Sequence, residues 1–267
     1  MAPTASKKTM NTGKFLLLMA SMVMVMSSCS KLESNEKKYL DAMSSDDFEV
    51  SAQGFTDFCE WLKKDKSTMT YDFNLMREKL GMNVLTSADG KLRTYSWITN
   101  GDQTAPVYAN VVQWLDGESF LGYSGPLNNM LNSHKKDAAK NKEMAHSIDT
   151  IMDVNMDKQH LYLVVQSYLN ADGRKRSFVS ALTIQKLILF RLPFFFDGTE
   201  VAGNNEYEGN IKVGDLFKWD EKNKLFYAYQ TDDNFHVIPN QYTVFKLGND
   251  KLNRVVNETD QTVMNNN

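Results

Sequence analysis

Cysteine is almost absent. The 267 residues contain two, Cys29 and Cys59, which excludes a disulfide framework and any CxxC metal knot. Histidine is nearly as scarce, with His134, His146, His160 and His236. None stands two or four residues from another and there is no HExxH, so no local metal motif can be assembled from them. The glycine patterns GxGxxG and GxxxxGK[ST] are missing, which removes the usual dinucleotide and phosphate loops. A GxSxG elbow is missing too. Neither sign of charge dominates. There are 30 Lys and Arg against 33 Asp and Glu, a net charge of −3 and a pI near 5.9. Such a chain has no broad positive field, and no nucleic acid partner is expected.

What is there begins with Lys14 to Ser30, KFLLLMASMVMVMSSCS. Lys7, Lys8 and Lys14 form a positive n-region. Phe15 to Met26 is uncharged and apolar, yet shorter than the ~20 residues that cross a bilayer. Ser27 and Ser28 follow, then Cys29. That order matches a bacterial lipoprotein signal, in which the thiol is acylated and becomes the new N-terminus. Met26 stands where such signals usually carry Leu. Several acyl chains, at ~0.8 kcal/mol per buried CH₂, would hold the protein on a membrane. The expected layout is a signal over residues 1–28, a flexible tether over 29–45, one domain over 46–256 and a disordered tail over 257–267.

The body has an ordinary globular balance, 42% hydrophobic and 24% charged. Phe55, Phe58, Cys59 and Leu62 fall at i, i+3, i+4 and i+7, so a helix is predicted from Thr56 to Lys64 with Cys59 as a small buried apolar thiol. A second helix is predicted from Asp72 to Leu80, stopped by Gly81. From Met82 the period changes to two. Asp89-Gly90 is a hairpin turn between strand-like runs. Leu92, Thr94, Ser96 and Ile98 face one way, and Arg93, Tyr95 and Trp97 the other. Further strands are read at PVYANVVQWL and SFLGY. Residues 127–145 read as a solvated segment, and Ser147 to Asp157 as a short helix.

Beyond these, HLYLVVQSYL and SFVSALTIQKLILF are strands, and Phe194 to Phe196 belong to the core. NIKVGDLFKW pairs with LFYAYQ, and HVIPNQYTVFKL with LNRVV. The fold class expected is α+β: two short N-terminal helices followed by a mostly antiparallel β meander or sandwich of hairpins, with a propeller-like arrangement as the variant.

The chemistry legible here is thin. Asp153-x-Asn155-x-Asp157 opens like an EF-hand loop, but Lys158 replaces the glycine and Val164 the closing glutamate. No catalytic residue, metal or cofactor is expected. Aromatics are enriched on the strands, and Tyr95 and Trp97, two apart on one strand face, are the pair best placed for a glycan platform. The run from Asp89 to Trp97, the Asn/Gly turn after it and the strand Tyr108 to Trp114 resemble a segment of uncharacterised envelope lipoproteins of gut Bacteroidetes. The lysine-rich signal, the serine-flanked Cys29 and a C-terminal hairpin with a Lys-Leu turn share that likeness. The resemblance implies a location, the cell envelope and the outer membrane, and transfers no catalytic residue. It also implies O-glycosylation at Asp-Ser/Thr before a small or apolar residue, which Thr150 fits. The function expected is a non-enzymatic binding module for a protein or glycan partner, tied to the membrane by its lipid; the alternative is a lipid-anchored hydrolase acting on glycans or peptides.

Overall fold

The structure is a computed structural model, and it describes residues 30–99, 108–116, 119–126, 147–156, 159–169, 173–185, 188–192, 194, 201–202, 206–209, 211–249 and 251–255. The signal and Cys29, the lysine-rich segment over 127–145, Phe195, Phe196 and the tail lie outside the described residues. The chain divides into two compact units, residues 1–55 and 56–267.

In the first unit the expected flexible tether is a helix. Residues 30–43 are helical and are called α1. Leu32, Glu36 and Leu40 are spaced i, i+4, i+8, form one stripe and are buried. The polar composition of this segment hid the stripe. Helix α2 (Phe48–Lys64) starts earlier than its apolar period suggests. Asp47 sets the start: its Oδ1 accepts from the Glu49 and Val50 amides at 2.9 and 3.2 Å, an N-cap. At Gly54 a Cβ would sit 2.7 Å from the Cβ of Ala42. The two helices approach too closely there for any side chain.

The second unit begins inside α2 and continues into a 3₁₀ turn (Lys66–Met69) capped by Asp65. Helix α3 (Asn74–Leu80) ends at Gly81 in the left-handed region, φ 63°, as a C-cap glycine should. Among the described residues three antiparallel sheets follow, giving an α+β, β-rich fold with no closed barrel. Sheet A is β1 (Asn83–Thr86), β2 (Leu92–Ile98), β3 (Tyr108–Asp116) and β4 (Ser119–Pro126), in sequence order. Sheet B centres on β5 (Ser147–Asn155), β6 (His160–Leu169) and β7 (Lys175–Gln185). Along the far edge of β7 lie three short strands: β8 (Ile188–Leu192), β9 (Val201–Ala202) and β10 (Glu206–Tyr207). A helical turn α4 (Val213–Leu216) leads into sheet C: β11 (Phe217–Asp220), β12 (Leu225–Thr231), β13 (Val237–Leu247) and β14 (Leu252–Arg254).

Strand alternation sorts these sheets into layers. On β6, Leu161, Leu163 and Val165 pack with Phe217, Phe226 and Phe245 of sheet C. The residues between them, Tyr162 and Val164, pack with Leu92, Val112 and Trp114 of sheet A. Sheet B is therefore covered on both faces. Sheet A is covered twice as well, because its other face meets α2 and α3. Phe58 places its ring 5.9 Å from Tyr95 and 6.3 Å from Trp97. Phe73 lies 5.3 Å from Tyr95. Phe73 holds φ 54°, a costly backbone for a bulky residue. Its ring, fully buried, is gripped by Phe58, Trp61, Tyr71 and Tyr95.

One sequence expectation needs correction here. Ser147 to Asp157 is not a short helix, since Ser147–Asn155 is strand β5. Its Ile, Thr, Met and Val side chains suit a pleated, half-buried surface. The A–B interface is also more polar than its strands suggest. Thr94, Ser96, Gln166 and Ser180 are all buried. Among the described residues no hydrogen-bond partner reaches Thr94 Oγ1, Ser96 Oγ, Ser180 Oγ or the Gln166 amide. Each such group costs about 1–3 kcal/mol.

Asp149 carries a pH-dependent part of the fold's stability. It accepts hydrogen bonds from Ser147 Oγ at 2.8 Å and from Ser167 Oγ. Burial nevertheless pushes its carboxyl above the ordinary value, outweighing those bonds and the charge of Lys175. A raised folded-state value means that the folded chain holds the proton longer than the unfolded one. This group's contribution is then fully favourable below the ordinary carboxylate range and falls as pH rises through the raised value. Asp149→Asn is expected to remove that step. The melting temperature of wild type minus variant should be larger near pH 4 than near pH 7. A difference that is flat or grows with pH contradicts the assignment.

Candidate functional site

Tyr95 and Trp97 do share a strand face, as their spacing predicts, but the face is an interior one. Tyr95 is 0% and Trp97 5% exposed. The Tyr95 hydroxyl donates to Gln113 Oε1 at 2.6 Å, and burial pushes its own ionisation far up. The glycan-platform reading is thereby corrected. Both rings are roofed by Phe58, and no sugar can reach them. Thr150 is half-buried in β5 and is the Cα partner of Val165. The Asp149 of its motif is engaged by Ser147 and Ser167. Cys59 is half-buried on α2 and forms no disulfide.

The residues that do converge are ones the local spacing hides. At one end of sheets A and B, Asp89, Asp153 and His160 bring ligand-type atoms within 4.8 Å of one another. The tight turn between β1 and β2 presents Asp89. Its Oδ1 is occupied within that turn, accepting from Ser87 Oγ at 2.7 Å and the Lys91 amide at 3.0 Å. Gly90 takes φ 71° there, which only a residue lacking Cβ adopts freely. Oδ2 is left pointing toward sheet B, where it accepts from the Tyr162 hydroxyl at 3.0 Å.

Asp153 and Asn155 lie two apart on β5, and His160 and Tyr162 two apart on β6. The register pairs Asp153 with Tyr162 and Asn155 with His160, so all four side chains share the face toward sheet A. Asp153 Oδ2 crosses to sheet A and accepts from the Ala88 amide at 2.7 Å. His160 Nε2 lies 2.9 Å from Asp153 Oδ1 and 3.5 Å from Asp89 Oδ2. Its Nδ1 lies 2.7 Å from Asn155 Oδ1. The His160 ring stands edge-on to Tyr162, centroids 4.7 Å apart. The turn of sheet C closes the neighbourhood. Lys224 Nζ donates to the Asn155 carbonyl at 3.4 Å and pairs with Glu221, which also accepts from Trp219 Nε1 at 2.6 Å.

The electrostatics favour an anionic Asp89. Burial pushes Asp89 upward, but the Lys91 amide, Ser87, Tyr162 and the charge of His160 outweigh it and hold the carboxyl below its ordinary value. The side chains of Asp89, Asp153 and His160 are 24, 13 and 26% exposed, so water reaches the cluster without filling it. Two carboxylates and an imidazole in this arrangement can hold a cation or pass a proton.

The signal for this cluster was present but nonlocal. The Asp153-x-Asn155 pair looked like a failed calcium loop because it was read along the chain. Read across a hairpin, it faces His160. Asp89 joins from another sheet 64 residues earlier, a placement that no spacing rule anticipates. Compared with protein-family models, with curated proteins and with solved structures, the chain finds no match.

Proposed function

We propose that this chain is a lipid-anchored cell-envelope lipoprotein whose folded body is a non-enzymatic binding module for a protein partner. The observation that carries the reading is the order Lys7, Lys8, Lys14, an apolar run, Ser27-Ser28 and Cys29. That order is what a prolipoprotein needs: charge to orient, a short apolar stretch to enter the membrane, small residues before the cut, and a thiol to take a diacylglyceryl group. A binding role is supported by apolar side chains left in water. On β8, Ile188 and Phe190 are 54 and 42% exposed on one face, while Leu189 between them is 7% exposed. Scattered exposed apolar residues are ordinary; two of them side by side on a sheet rim are what supports a contact role. An aromatic platform for sugar no longer supports the glycan alternative, because Tyr95 and Trp97 are interior.

The test is Cys29→Ala in the intact precursor, expressed in a bacterium with lipoprotein processing and fed an alkyne fatty acid. Wild type should take up the label and sediment with membranes. The variant should stay unlabelled and lose membrane association by a large factor, because each buried CH₂ is worth ~0.8 kcal/mol. A mature wild-type N-terminus without acyl mass, or a variant that sediments as firmly as wild type, rules the anchor out.

A further inference from the structure

We infer that Asp89, Asp153 and His160 form a divalent transition-metal site that staples the β1–β2 turn of sheet A to the β5–β6 hairpin of sheet B. This goes beyond the anchoring and binding roles and does not depend on them. Three observations converge. The first is distance. Zinc-type ions bind nitrogen and oxygen at about 2.0–2.2 Å, so neighbouring ligand atoms on one ion stand about 3.0–3.5 Å apart. His160 Nε2 stands 2.9 Å from Asp153 Oδ1 and 3.5 Å from Asp89 Oδ2. All three ligand-type atoms lie within 4.8 Å of one another, close enough for side-chain rotation to bring them onto a common centre.

The second is what holds each ligand from behind. Asp89 Oδ1 is fixed by Ser87 and the Lys91 amide, and Asp153 Oδ2 by the Ala88 amide. His160 Nδ1 faces Asn155 Oδ1. A carbonyl oxygen only accepts, so Nδ1 donates to it, and Nε2 is the ring nitrogen turned toward the two carboxylates. Metal-bound histidines are oriented in this way, with the far nitrogen donating to an oxygen. The Ala88 amide and the Ser87–Lys91 turn belong to sheet A, and Asn155 to sheet B. The supporting shell is thus built from both sheets, as a staple between them requires.

The third is charge. Among the described residues, His160 is the one basic side chain within 4 Å of either carboxylate. Lys224, from the turn of sheet C, is directed at the Asn155 carbonyl and Glu221. Two carboxylate oxygens converging on one point repel one another unless a positive charge, on a bound ion or on the imidazole itself, lies between them. Two carboxylates and one imidazole suit zinc or manganese better than calcium, which takes 6–8 oxygen ligands. Water would complete the coordination, since each ligand side chain is partly exposed.

The test uses the full chain in detergent, stripped with a chelator and titrated with Zn²⁺, Mn²⁺ and, as a spectroscopic probe, Co²⁺. One equivalent should bind and raise the melting temperature, and Co²⁺ should give visible d–d bands. Asp153→Asn and His160→Gln should abolish the saturable step. Asn155→Ala leaves the three ligands intact and should weaken Zn²⁺ binding about 10- to 100-fold. A double variant, His134→Gln with His146→Gln, should bind as wild type. The inference fails if the stripped chain shows no saturable binding. It fails equally if binding persists in both ligand variants, or if the Nε2 proton of His160 is still seen by NMR with excess Zn²⁺ present, which would make the cluster a plain imidazolium–carboxylate contact.

Discussion

Phe58→Ala should lower the unfolding free energy by about 3–5 kcal/mol. Phe58 is 0% exposed and lies at the centre of the helix–sheet layer. Four aromatic rings surround it edge-on: Phe73 at 6.0 Å, Tyr95 at 5.9 Å, Trp61 at 6.2 Å and Trp97 at 6.3 Å. Removing the ring loses its transfer energy, opens a cavity and breaks contacts worth about 0.5–1.5 kcal/mol each beyond area. The site cannot easily collapse, because β2 is held in register by β1 and β3. Phe48→Ala is the control. Phe48 is 83% exposed, and its loss should change stability by no more than about 0.5 kcal/mol. Urea unfolding with unchanged slope gives both values. A Phe58→Ala loss below about 1 kcal/mol contradicts the packing described here.

The second large effect is expected at Gln113. Its side chain is fully buried and uses both ends of its amide. Oε1 accepts from Tyr95 at 2.6 Å, and Nε2 donates to the Leu62 carbonyl at 2.5 Å and to Thr68 Oγ1 at 2.8 Å. One side chain of β3 thus joins β2, the end of α2 and the 3₁₀ turn. Gln113→Leu keeps the volume but takes the acceptor from the Tyr95 hydroxyl and a donor from the Leu62 carbonyl and from Thr68 Oγ1, which keeps its bond to the Asp65 carbonyl at 2.6 Å, and each group left unsatisfied costs about 1–3 kcal/mol. Some relaxation is expected, so the total should be about 3–5 kcal/mol. Tyr95→Phe should cost less, about 1–2 kcal/mol, because only Gln113 Oε1 loses its donor. The double variant is the decisive measurement. With both groups gone, no Tyr95 hydroxyl remains to be stranded, and the two losses should sum to more than the double variant shows. Strict additivity means that the two side chains do not interact.

Several elements were legible because their signals are local. Asp89-Gly90 marked a hairpin, and the structure places it between β1 and β2 with Gly90 at φ 71°. Gly81 ended α3 as its position suggests. The alternation of Leu92, Thr94 and Ser96 against Arg93, Tyr95 and Trp97 is correct. Its meaning was hidden, because alternation says that a strand has two faces and is silent about what covers each. All six residues from Leu92 to Trp97 turn out to be buried. Helix α1 was hidden for the opposite reason, since its stripe includes the charged Glu36. Ser147–Asn155 mixes β-branched residues with acids, and a short window of that kind does not separate strand from helix.

The chain alone therefore determined the turns, the change of period from 3.6 to 2 and the α+β class, because each depends on residues within a few positions of one another. Tertiary structure decided that Tyr95 and Trp97 are interior and that Asp89 meets Asp153 and His160. Both outcomes depend on how whole sheets stack and register. That is a matter of burying apolar faces across distances in sequence that no local pattern spans.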